Sequence, residues 1–418
     1  MASFRIRGGR PLEGRVAVQG SKNSALAILT AAALAVDGET TLENVPQYTD
    51  VLDLCQILRD LGAEVVWRAP GTLTVRGEGV SKSEAPYDLA KKLRGSTYIV
   101  GLLLARLGEA RVAVPGGCNI GTRPIDFHLK GFRTLGAEVE VEHGQILARA
   151  QRLRGQKFFV DRSSVGTTIN MMITASLAEG TTVLENAALE PEIVDLANFL
   201  GKLGVKVRGA GTPNIRIEGA RRLTGQRHEI IPDRVVAGTY LMAGAITGGR
   251  VEVQQVIPEH LRTVGLKLSE AGAEIVEKED SMGICSPRRL RGVDVQTGPH
   301  PGFATDLQQP FLTLMTLAEG VSVIQETVHD NRFGFVNELQ RMGTNIRVDR
   351  DTAIVRGVEA LTGAPVEAAE LRGGVSLVLA GLAARGTTLV QGTHFIDRGY
   401  SNLEQTLQEL GADIQRVE

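Results

Sequence analysis

The amino-acid sequence predicts an α/β fold built from six related segments of about 70 residues, and two series of glycines support that prediction. Neighbouring glycines within either series lie 66–74 residues apart along the 418-residue chain. The first series, in the motif LGAEV and its variants, comprises Gly62, Gly136, Gly204, Gly272, Gly343 and Gly411. The second series comprises Gly38, Gly108, Gly180, Gly249, Gly320 and Gly386. Because the two series stay in phase, and because solenoid units are shorter, each segment should be a small α/β unit.

Each segment shows the same order of patterns. It begins with an apolar helix, as at residues 23–36, 96–107 and 375–384, and a glycine follows where a helix C-terminus favours one. A β-branched strand comes next, for example residues 181–186. A second helix then has apolar residues at spacings of three and four, as at residues 51–61, before a strand and a hairpin return.

The two helix types differ in polarity. The first is apolar on all sides, which is typical of a helix inside a core, whereas the second has a charged face. This difference predicts sheets wrapped around buried helices. A chain of 418 residues has a prior of two or three domains, and six segments shared between two domains give three segments per domain. We expect one domain over residues 22–230 and a second over residues 1–21 with 231–418.

Composition excludes several function classes. The 46 basic and 48 acidic residues give a formal charge of −2, and aromatics make up 4%, so general nucleic-acid binding is disfavoured. Three cysteines without metal-ligand spacing fit a reducing compartment, and Cys55 and Cys285 lie in apolar runs typical of a core. We see neither a signal peptide nor an apolar run long enough to span a bilayer, so we expect a cytoplasmic protein with no membrane partner.

Residues 115–126, PGGCNIGTRPID, form the most unusual stretch. A strand pattern enters it and a helical pattern leaves it. Glycines let the backbone approach a ligand, and proline suits the first position of a helix. The loop therefore predicts that the Cys118 thiol, the Arg123 guanidinium and several backbone N–H groups face one anion. The alternative is a strand-to-helix turn in which Cys118 only packs.

Six basic residues stand near predicted helix starts. A cation at a helix N-terminus is unfavourable by about 0.3–1 kcal/mol, so a recurring set indicates a shared anionic ligand that offsets the repulsion. The alternative is solvated charge or ordinary ion pairs with Asp88, Asp126 or Asp397. The six residues are Lys22, Arg94, Arg123, Arg332, Arg372 and Arg398.

Asp306 precedes an apolar helix in the stretch HPGFATDLQQP. An aspartate there is either a candidate site residue or a helix N-cap, and both interpretations stay open. His300 in the same turn is interpreted as structural. The chain has no P-loop, no HExxH and no clean GxGxxG after a strand, which disfavours the corresponding phosphate, zinc and dinucleotide sites.

The whole chain, in order, resembles the UDP-N-acetylglucosamine 1-carboxyvinyltransferase family. These enolpyruvyl transferases catalyse the first committed step of peptidoglycan precursor synthesis. The resemblance rests on stretches such as GSKNSALAI, PGGCNIGTRPIDFHLKGF, SSVGTTINMM, PHPGFATDLQQPF and HFIDRGY. It implies a two-domain inside-out α/β barrel with three βαβαββ units per domain. It also implies that the ligands bind in a cleft between domains that close, and it leaves the oligomeric state open.

The implied reaction transfers the enolpyruvyl group of phosphoenolpyruvate to the 3′-hydroxyl of UDP-N-acetylglucosamine and releases phosphate, without a metal or redox cofactor. By resemblance, Cys118 is the proton donor, a site of covalent adduct formation and the target of fosfomycin, and Asp306 is the base. Lys22 and Arg398 complete the implied catalytic set. The implied phosphoenolpyruvate contacts are Lys22, Asn23, Arg123, Arg372 and Arg398, with Arg332 as a further arginine. The implied nucleotide-sugar contacts are Arg94, Arg123, Pro124, Ile125, Asp126, Phe127, Arg162, Ser163, Ser164, Val165, Gly166, Asp306 and Val328.

The sequence departs from the family pattern at a few positions. Val236 stands where glutamate is common, which should alter the charge of the cleft. Gly95 and the pair Gly373 and Gly374 stand where alanine or serine is commoner, which should loosen the loops after two arginines. There are three alternatives to this function. The first is a sister transferase that acts on shikimate 3-phosphate, and that family lacks the Cys118 loop. The other two are a non-catalytic nucleotide-sugar sensor and a nucleic-acid end-processing enzyme.

Overall fold

The computed structural model describes residues 2–116, 125–287 and 289–418, in which strands and helices alternate, so the predicted α/β class is confirmed. The strands are β1 (Ser3–Arg7), β2 (Glu13–Ala17), β3 (Thr40–Glu43), β4 (Glu64–Ala69), β5 (Thr72–Arg76), β6 (Glu109–Ala113), β7 (Glu138–Glu142), β8 (Gln145–Arg149), β9 (Lys157–Phe159), β10 (Thr181–Glu185), β11 (Lys206–Arg208), β12 (Asn214–Glu218), β13 (Arg227–Glu229), β14 (Arg250–Gln254), β15 (Glu274–Glu277), β16 (Ser281–Cys285), β17 (Val295–Gln296), β18 (Val321–Gln325), β19 (Asn345–Asp349), β20 (Thr352–Arg356), β21 (Pro365–Glu367), β22 (Thr387–Gln391) and β23 (Asp413–Val417).

The α-helices are α1 (Lys22–Ala32), α2 (Thr49–Asp60), α3 (Tyr87–Lys92), α4 (Thr97–Leu107), α5 (Asp126–Thr134), α6 (Val165–Ala175), α7 (Pro191–Leu203), α8 (Arg234–Thr247), α9 (Arg262–Glu270), α10 (Gln308–Met315), α11 (Val336–Arg341), α12 (Leu371–Ala383), α13 (Thr393–Ile396) and α14 (Leu403–Glu409). Short 3-10 helices lie at Arg94–Ser96, Pro258–Leu261 and Thr305–Leu307. No helix within the described residues is both long enough and apolar enough to cross a bilayer.

The described residues divide into two compact units. The N-terminal unit contains residues 20–116 and 125–231, and the C-terminal unit contains residues 2–19 and 232–418. Counting the described residues only, each unit has three sheets. Those of the N-terminal unit have the orders β13-β3-β5-β4, β6-β8-β7 and β11-β12-β10-β9. Those of the C-terminal unit have the orders β15-β16-β14-β2, β17-β18-β20-β19 and β21-β22-β1-β23.

The six sheets share a mixed pairing pattern. In every four-stranded sheet, one outer strand is parallel to its neighbour and the remaining pairs are antiparallel. In the three-stranded sheet, a single parallel bridge between Glu84 and Arg111 stands where the others have a fourth strand. The sheets are therefore variants of one arrangement.

The first residues of the chain complete two sheets of the C-terminal unit. Strand β1 lies between β22 and β23, with Ser3 opposite Val417, and β2 is parallel to β14. Phe4 and Ile6 of β1 are buried while Arg5 is exposed, as the two-residue period of a strand requires.

Each unit has its own apolar core. Helices α1, α4 and α6 pack on one another in the N-terminal unit, and α8, α10 and α12 do so in the C-terminal unit. In α4, the consecutive residues Leu102, Leu103 and Leu104 are all buried, because that helix is covered on every side. The apolar composition of this helix type thus reflects its position.

The sequence predicts that Cys55 and Cys285 are core residues. Cys55 on α2 is fully buried, which confirms that prediction. For Cys285 the prediction is wrong, because its side chain is only half-buried and its Sγ lies 3.6 Å from the guanidinium of Arg250. Its neighbour Ile284 faces the core, so the alternation of β16 turns Cys285 to the other face of the sheet.

The glycines of the first series all have a positive φ, between 90° and 115°, which explains why glycine recurs there. The second series needs one correction, since Gly248, with φ of 66°, ends α8 instead of Gly249. The helix predicted at residues 23–36 also ends earlier, at Ala32, because the following N–H groups bond three residues back in a tighter turn.

Candidate active site

Three predicted site residues of the C-terminal unit, Asp306, Arg332 and Arg372, meet in one cluster. Asp306 lies in the 3-10 helix that leads into α10, and Arg372 is the second residue of α12. The Arg332 Nη2 atom donates to Asp306 Oδ1 at 2.6 Å. The Nη2 and Nε atoms of Arg372 donate to Asp306 Oδ2 at 3.1 and 3.3 Å. Asp306 is therefore the partner of two guanidinium groups, and Ala304 occupies the N-cap position of the 3-10 helix.

Burial and neighbouring charges shift the pKa values of Asp306 and Arg372 in opposite directions. The side chains of Arg332 and Arg372 are 1% and 5% exposed, whereas that of Asp306 is 26% exposed. Burial by itself raises the pKa of Asp306, but the charges of Arg372 and Arg332 outweigh it and hold that pKa well below its ordinary value. Burial likewise lowers the pKa of Arg372, yet the Asp306 carboxylate raises it overall. Asp306 thus stays ionised and is the part of the cluster that a ligand can reach.

Arg372 also contacts the segment that follows α13. Its Nη1 atom donates to the Tyr400 hydroxyl at 3.3 Å, and Thr239 Oγ1 on α8 lies 2.8 Å from that hydroxyl. Burial raises the pKa of Tyr400, so the hydroxyl stays protonated at neutral pH. The predicted anion-binding residue Arg398 is half-buried in the same turn, two residues before Tyr400. One short segment therefore carries Arg398 and touches Arg372.

Glu326, which the sequence did not single out, fixes the backbone around Asp306. Its carboxylate is 2% exposed and accepts from the hydroxyls of Thr297 and Thr305 at 3.0 and 2.9 Å. It also accepts the backbone N–H groups of Val328 and the next residue at 2.8 and 3.0 Å. The Glu326 carboxylate thus holds both Val328, a predicted ligand contact, and Thr305, the residue before Asp306. The signal in the sequence was an acidic residue directly after strand β18, whose residues alternate between exposed and buried.

In the N-terminal unit, Lys22 begins α1 and pairs with Asp50 at the start of α2. The Lys22 Nζ atom lies 3.1 Å from Asp50 Oδ2, and the two side chains are 12% and 7% exposed. The hydroxyl of Ser21 accepts the N–H of Ser24 at 3.3 Å and so caps the helix. Asn23 is half-buried beside Lys22. The ion pair fixes the direction of the lysine side chain.

A buried histidine gathers several predicted nucleotide-sugar contacts. His128 on α5 is 7% exposed, and burial together with the charge of Arg94 lowers its pKa to about 3. Asn170 Nδ2 on α6 donates to His128 Nδ1 at 3.0 Å and to the carbonyl of Thr97 at 2.8 Å, as expected for a neutral ring. The ring lies against Gly166, where an added Cβ would approach it to 3.4 Å. His128 on α5 therefore packs against the start of α6 and lies within electrostatic range of Arg94.

The remaining predicted contacts lie near these helix starts. Ile125 and Phe127 are half-buried and Asp126 is exposed at the start of α5. The Ser164 Oγ atom accepts an N–H at 3.2 Å and caps α6, of which Val165 is the first residue. The predicted contacts before this cap are exposed Arg162 and half-buried Ser163. Three predicted residues lie outside the described part of the chain, and they are Cys118, Arg123 and Pro124.

The expectation that glycines loosen loops is wrong for α12. Gly373 and Gly374 lie in its first turn, and both are buried. A Cβ at Gly373 would lie 2.9 Å from Phe335 Cβ, and one at Gly374 would lie 2.8 Å from Ile396 Cγ1, so the missing side chains permit close packing. Val236 is 4% exposed in the core of the C-terminal unit, where an apolar side chain fits.

A sequence profile of the family described as EPSP synthase (3-phosphoshikimate 1-carboxyvinyltransferase) matches residues 6–407. The UDP-N-acetylglucosamine 1-carboxyvinyltransferase 2 of Symbiobacterium thermophilum is 60% identical over 416 residues, which cover 100% of this chain and 98% of that protein. The UDP-N-acetylglucosamine 1-carboxyvinyltransferase of Clostridium botulinum is 46% identical, and the alignment covers 100% of both chains.

Two solved structures resemble the whole chain. The enolpyruvyl transferase NikO from Streptomyces tendae has a TM-score of 0.90 at 26% identity, with coverage of 100% of this chain and 99% of that one. An EPSP synthase from Acinetobacter baumannii has a TM-score of 0.76 at 20% identity over 100% of both chains and shares the fold. The similarity in sequence and in structure thus extends from one end of the chain to the other.

Proposed function

Because the chain belongs to the EPSP synthase family and, within it, to the UDP-N-acetylglucosamine 1-carboxyvinyltransferases, we propose that it transfers the enolpyruvyl group of phosphoenolpyruvate to the 3′-hydroxyl of UDP-N-acetylglucosamine and releases phosphate. The observation that carries this proposal is the 60% identity to a relative of that name over the full chain. The charged cluster at Asp306 supports it, because the reaction needs cations for two anionic groups and a carboxylate near a hydroxyl. The protein would then act in the cytoplasm, in peptidoglycan precursor synthesis.

We extend the proposal to the architecture. Each unit would be an inside-out α/β barrel of three βαβαββ repeats, with domains at residues 22–230 and at 1–21 with 231–418. The common pairing pattern of the sheets and the buried helices α1, α4, α6, α8, α10 and α12 support this arrangement. The in-phase glycines provide independent support from the sequence.

In the proposed reaction, the Cys118 thiol donates a proton to the terminal carbon of phosphoenolpyruvate, which leaves a cationic centre at the adjacent carbon. The sugar hydroxyl attacks that centre, and Asp306 takes its proton. The Cys118 thiolate then takes a proton back from the new methyl group, the electron pair of that C–H bond restores the double bond, and phosphate leaves with the electron pair of the C–O bond. Lys22, Asn23, Arg123, Arg372 and Arg398 would hold the phosphate and carboxylate groups.

The lowered pKa of Asp306 is compatible with its role as the base. A hydroxyl that attacks a cationic carbon becomes strongly acidic as the new bond forms, so a weak base suffices at that stage. An anionic substrate that draws Arg372 away from Asp306 would also raise the basicity of the carboxylate. The two arginines would then orient Asp306 before the reaction, and Arg372 would release it during the reaction.

Arg398→Ala should raise the KM for phosphoenolpyruvate more than the KM for UDP-N-acetylglucosamine. Hydrogen bonds to charged groups contribute about 1.5–3 kcal/mol, which corresponds to an increase of about 10- to 100-fold. Steady-state rates with each substrate varied in turn measure both constants. Arg385→Ala, which removes an exposed arginine just after α12, serves as the control and should change neither. A larger effect on the sugar nucleotide than on phosphoenolpyruvate would reassign Arg398.

A second candidate, transfer to shikimate 3-phosphate, is favoured by the match to the EPSP synthase (3-phosphoshikimate 1-carboxyvinyltransferase) family. Phosphate release from phosphoenolpyruvate separates the two candidates when it is measured with UDP-N-acetylglucosamine and with shikimate 3-phosphate in parallel. We expect release only with the nucleotide sugar. Release only with shikimate 3-phosphate would support the second candidate, and release with neither would favour a non-catalytic nucleotide-sugar protein.

A further inference from the structure

The turn that carries Arg398 is held at both of its ends. It follows α13, and the N–H groups of Gly399 and Tyr400 both donate to the carbonyl of Ile396 at 3.1 Å. At the far end, the Tyr400 hydroxyl contacts Thr239 and Arg372, as described above. At the near end, Asp397 is bound by a side chain from the last strand of the chain.

That side chain is Arg416 on β23, and its guanidinium makes a double contact with Asp397. Its Nη1 and Nη2 atoms donate to Asp397 Oδ2 and Oδ1 at 2.9 and 2.7 Å. Its Nε atom donates to Glu404 Oε1 on α14 at 2.8 Å. The guanidinium carbon also lies 4.7 Å from the ring centroid of Phe4 on the neighbouring strand β1. Arg416 thus joins β1, β23, α14 and the turn.

This contact set is stronger than an ordinary surface ion pair. The side chain of Arg416 is 31% exposed and that of Glu404 is 14% exposed, so solvent screens the pairs only partly. Hydrogen bonds to Asp397 and Glu404 raise the pKa of Arg416, which therefore carries its charge at every pH of interest. A planar guanidinium with two donors on one carboxylate also fixes the orientation of that carboxylate, which a lysine cannot do.

We propose that Arg416 is a positioning residue for Arg398. By holding Asp397 against the β1–β23 pair, it sets the orientation of the turn and presents Arg398 to an anionic substrate. The proposal rests on the proposed function, in which Arg398 binds phosphoenolpyruvate. Without Arg416, the turn loses its side-chain contact with β23. A smaller fraction of molecules then holds Arg398 in the binding orientation, and the apparent affinity for phosphoenolpyruvate falls by that fraction.

The test compares Arg416→Ala, Arg416→Lys and the matched control Arg5→Ala. Arg5 lies on β1 in the same sheet, is exposed, and donates to Gln415 at 2.6 Å. The alternation of the strand turns it to the face opposite Phe4, which packs on Arg416. Arg416→Ala should raise the KM for phosphoenolpyruvate by about threefold to tenfold, the range expected for losing two partly exposed ion pairs. The KM for UDP-N-acetylglucosamine should change by less than about twofold, Arg416→Lys should recover part of the loss and Arg5→Ala should have no effect.

The same substitution in an Arg398→Ala background decides whether Arg416 acts through Arg398. We expect Arg416→Ala to add almost nothing there, and an equal effect in both backgrounds would overturn the proposal. Hydrogen exchange of residues 397–400 gives a readout that does not depend on the reaction. Faster exchange in Arg416→Ala than in Arg5→Ala supports the anchoring of the turn, and unchanged exchange overturns it. Failure of the wild-type protein to use phosphoenolpyruvate would instead refute the proposed function.

Discussion

Replacing Asp306 with asparagine should lower kcat by a factor of about 10²–10⁴, the usual range for removing a general acid–base group. The amide has nearly the shape of the carboxylate but cannot take a proton at neutral pH. The KM for UDP-N-acetylglucosamine should change much less than kcat, because the amide still accepts a hydrogen bond from the substrate hydroxyl. Phosphate release under saturating and varied substrate measures both quantities.

The same variant should be less stable, since Arg332 and Arg372 lose a buried counter-charge. Removing one partner of a buried pair costs about 3 kcal/mol or more when no water replaces it. The folded-state pKa of Asp306 is lower than its unfolded value, so its stabilising contribution is complete above about pH 4 and is lost as the pH falls through the folded pKa. The difference in unfolding free energy between wild type and variant should therefore be constant from pH 8 to 5 and shrink in stronger acid.

Urea unfolding across this pH range checks that result, with Glu109→Gln as the control. Glu109 pairs with Arg149 on the surface, with 47% and 72% of the two side chains exposed, so its loss should cost less than about 1 kcal/mol. It should also leave kcat unchanged. Full activity in Asp306→Asn, or a stability loss that is equal at pH 3 and pH 7, would contradict the assignment of Asp306.

Cys118→Ser should abolish turnover or slow it by a factor of about 10² or more, the effect of removing a proton donor. A free thiol has a pKa of about 8.5, which lets it stay protonated near neutral pH and still release its proton. A serine hydroxyl is a far weaker acid and cannot replace it. Circular dichroism of the variant shows whether the fold is intact, and full wild-type rate would remove Cys118 from the mechanism.

Fosfomycin offers a second measurement on Cys118, because an epoxide alkylates a reactive thiol. Mass spectrometry should find the adduct on Cys118, formed faster when UDP-N-acetylglucosamine is present. Burial raises the pKa of the Cys55 thiol to about 12, so that residue should not react. Cys285→Ser is the matched control and should retain both activity and alkylation. Adducts confined to Cys55 or Cys285 would contradict the prediction.

The sequence predicted those parts of the fold that depend on local backbone geometry. A glycine such as Gly62 or Gly411 marks a backbone angle that other residues rarely adopt, so its position could be read directly from the sequence. Uniformly apolar segments such as α4 likewise predicted burial. The exact helix ends could not be read, because the residues after α1 bond to distant parts of the chain: the Ala33 carbonyl accepts from Arg106, and the Val36 N–H donates to the carbonyl of Leu223.

The polar contacts of the candidate site depend instead on residues far apart in the chain. Asp306 finds its partners 26 and 66 positions away, so a sequence pattern could not decide between an N-cap and an ion pair. Glu326 and His128 were missed for the same reason, since each is surrounded by side chains from other elements. The family resemblance indicated which residues belong to the site, and the structure showed which side chains contact them.

The position of β1 has a consequence for how the protein is made. Its apolar residues Phe4 and Ile6 are synthesised long before β22 and β23, the two strands that pair with β1. The N-terminal unit lies between them in the chain and can fold while synthesis continues. The sheet β21-β22-β1-β23 therefore cannot be completed until β23 has been synthesised, so the C-terminal unit closes around its oldest strand late in synthesis.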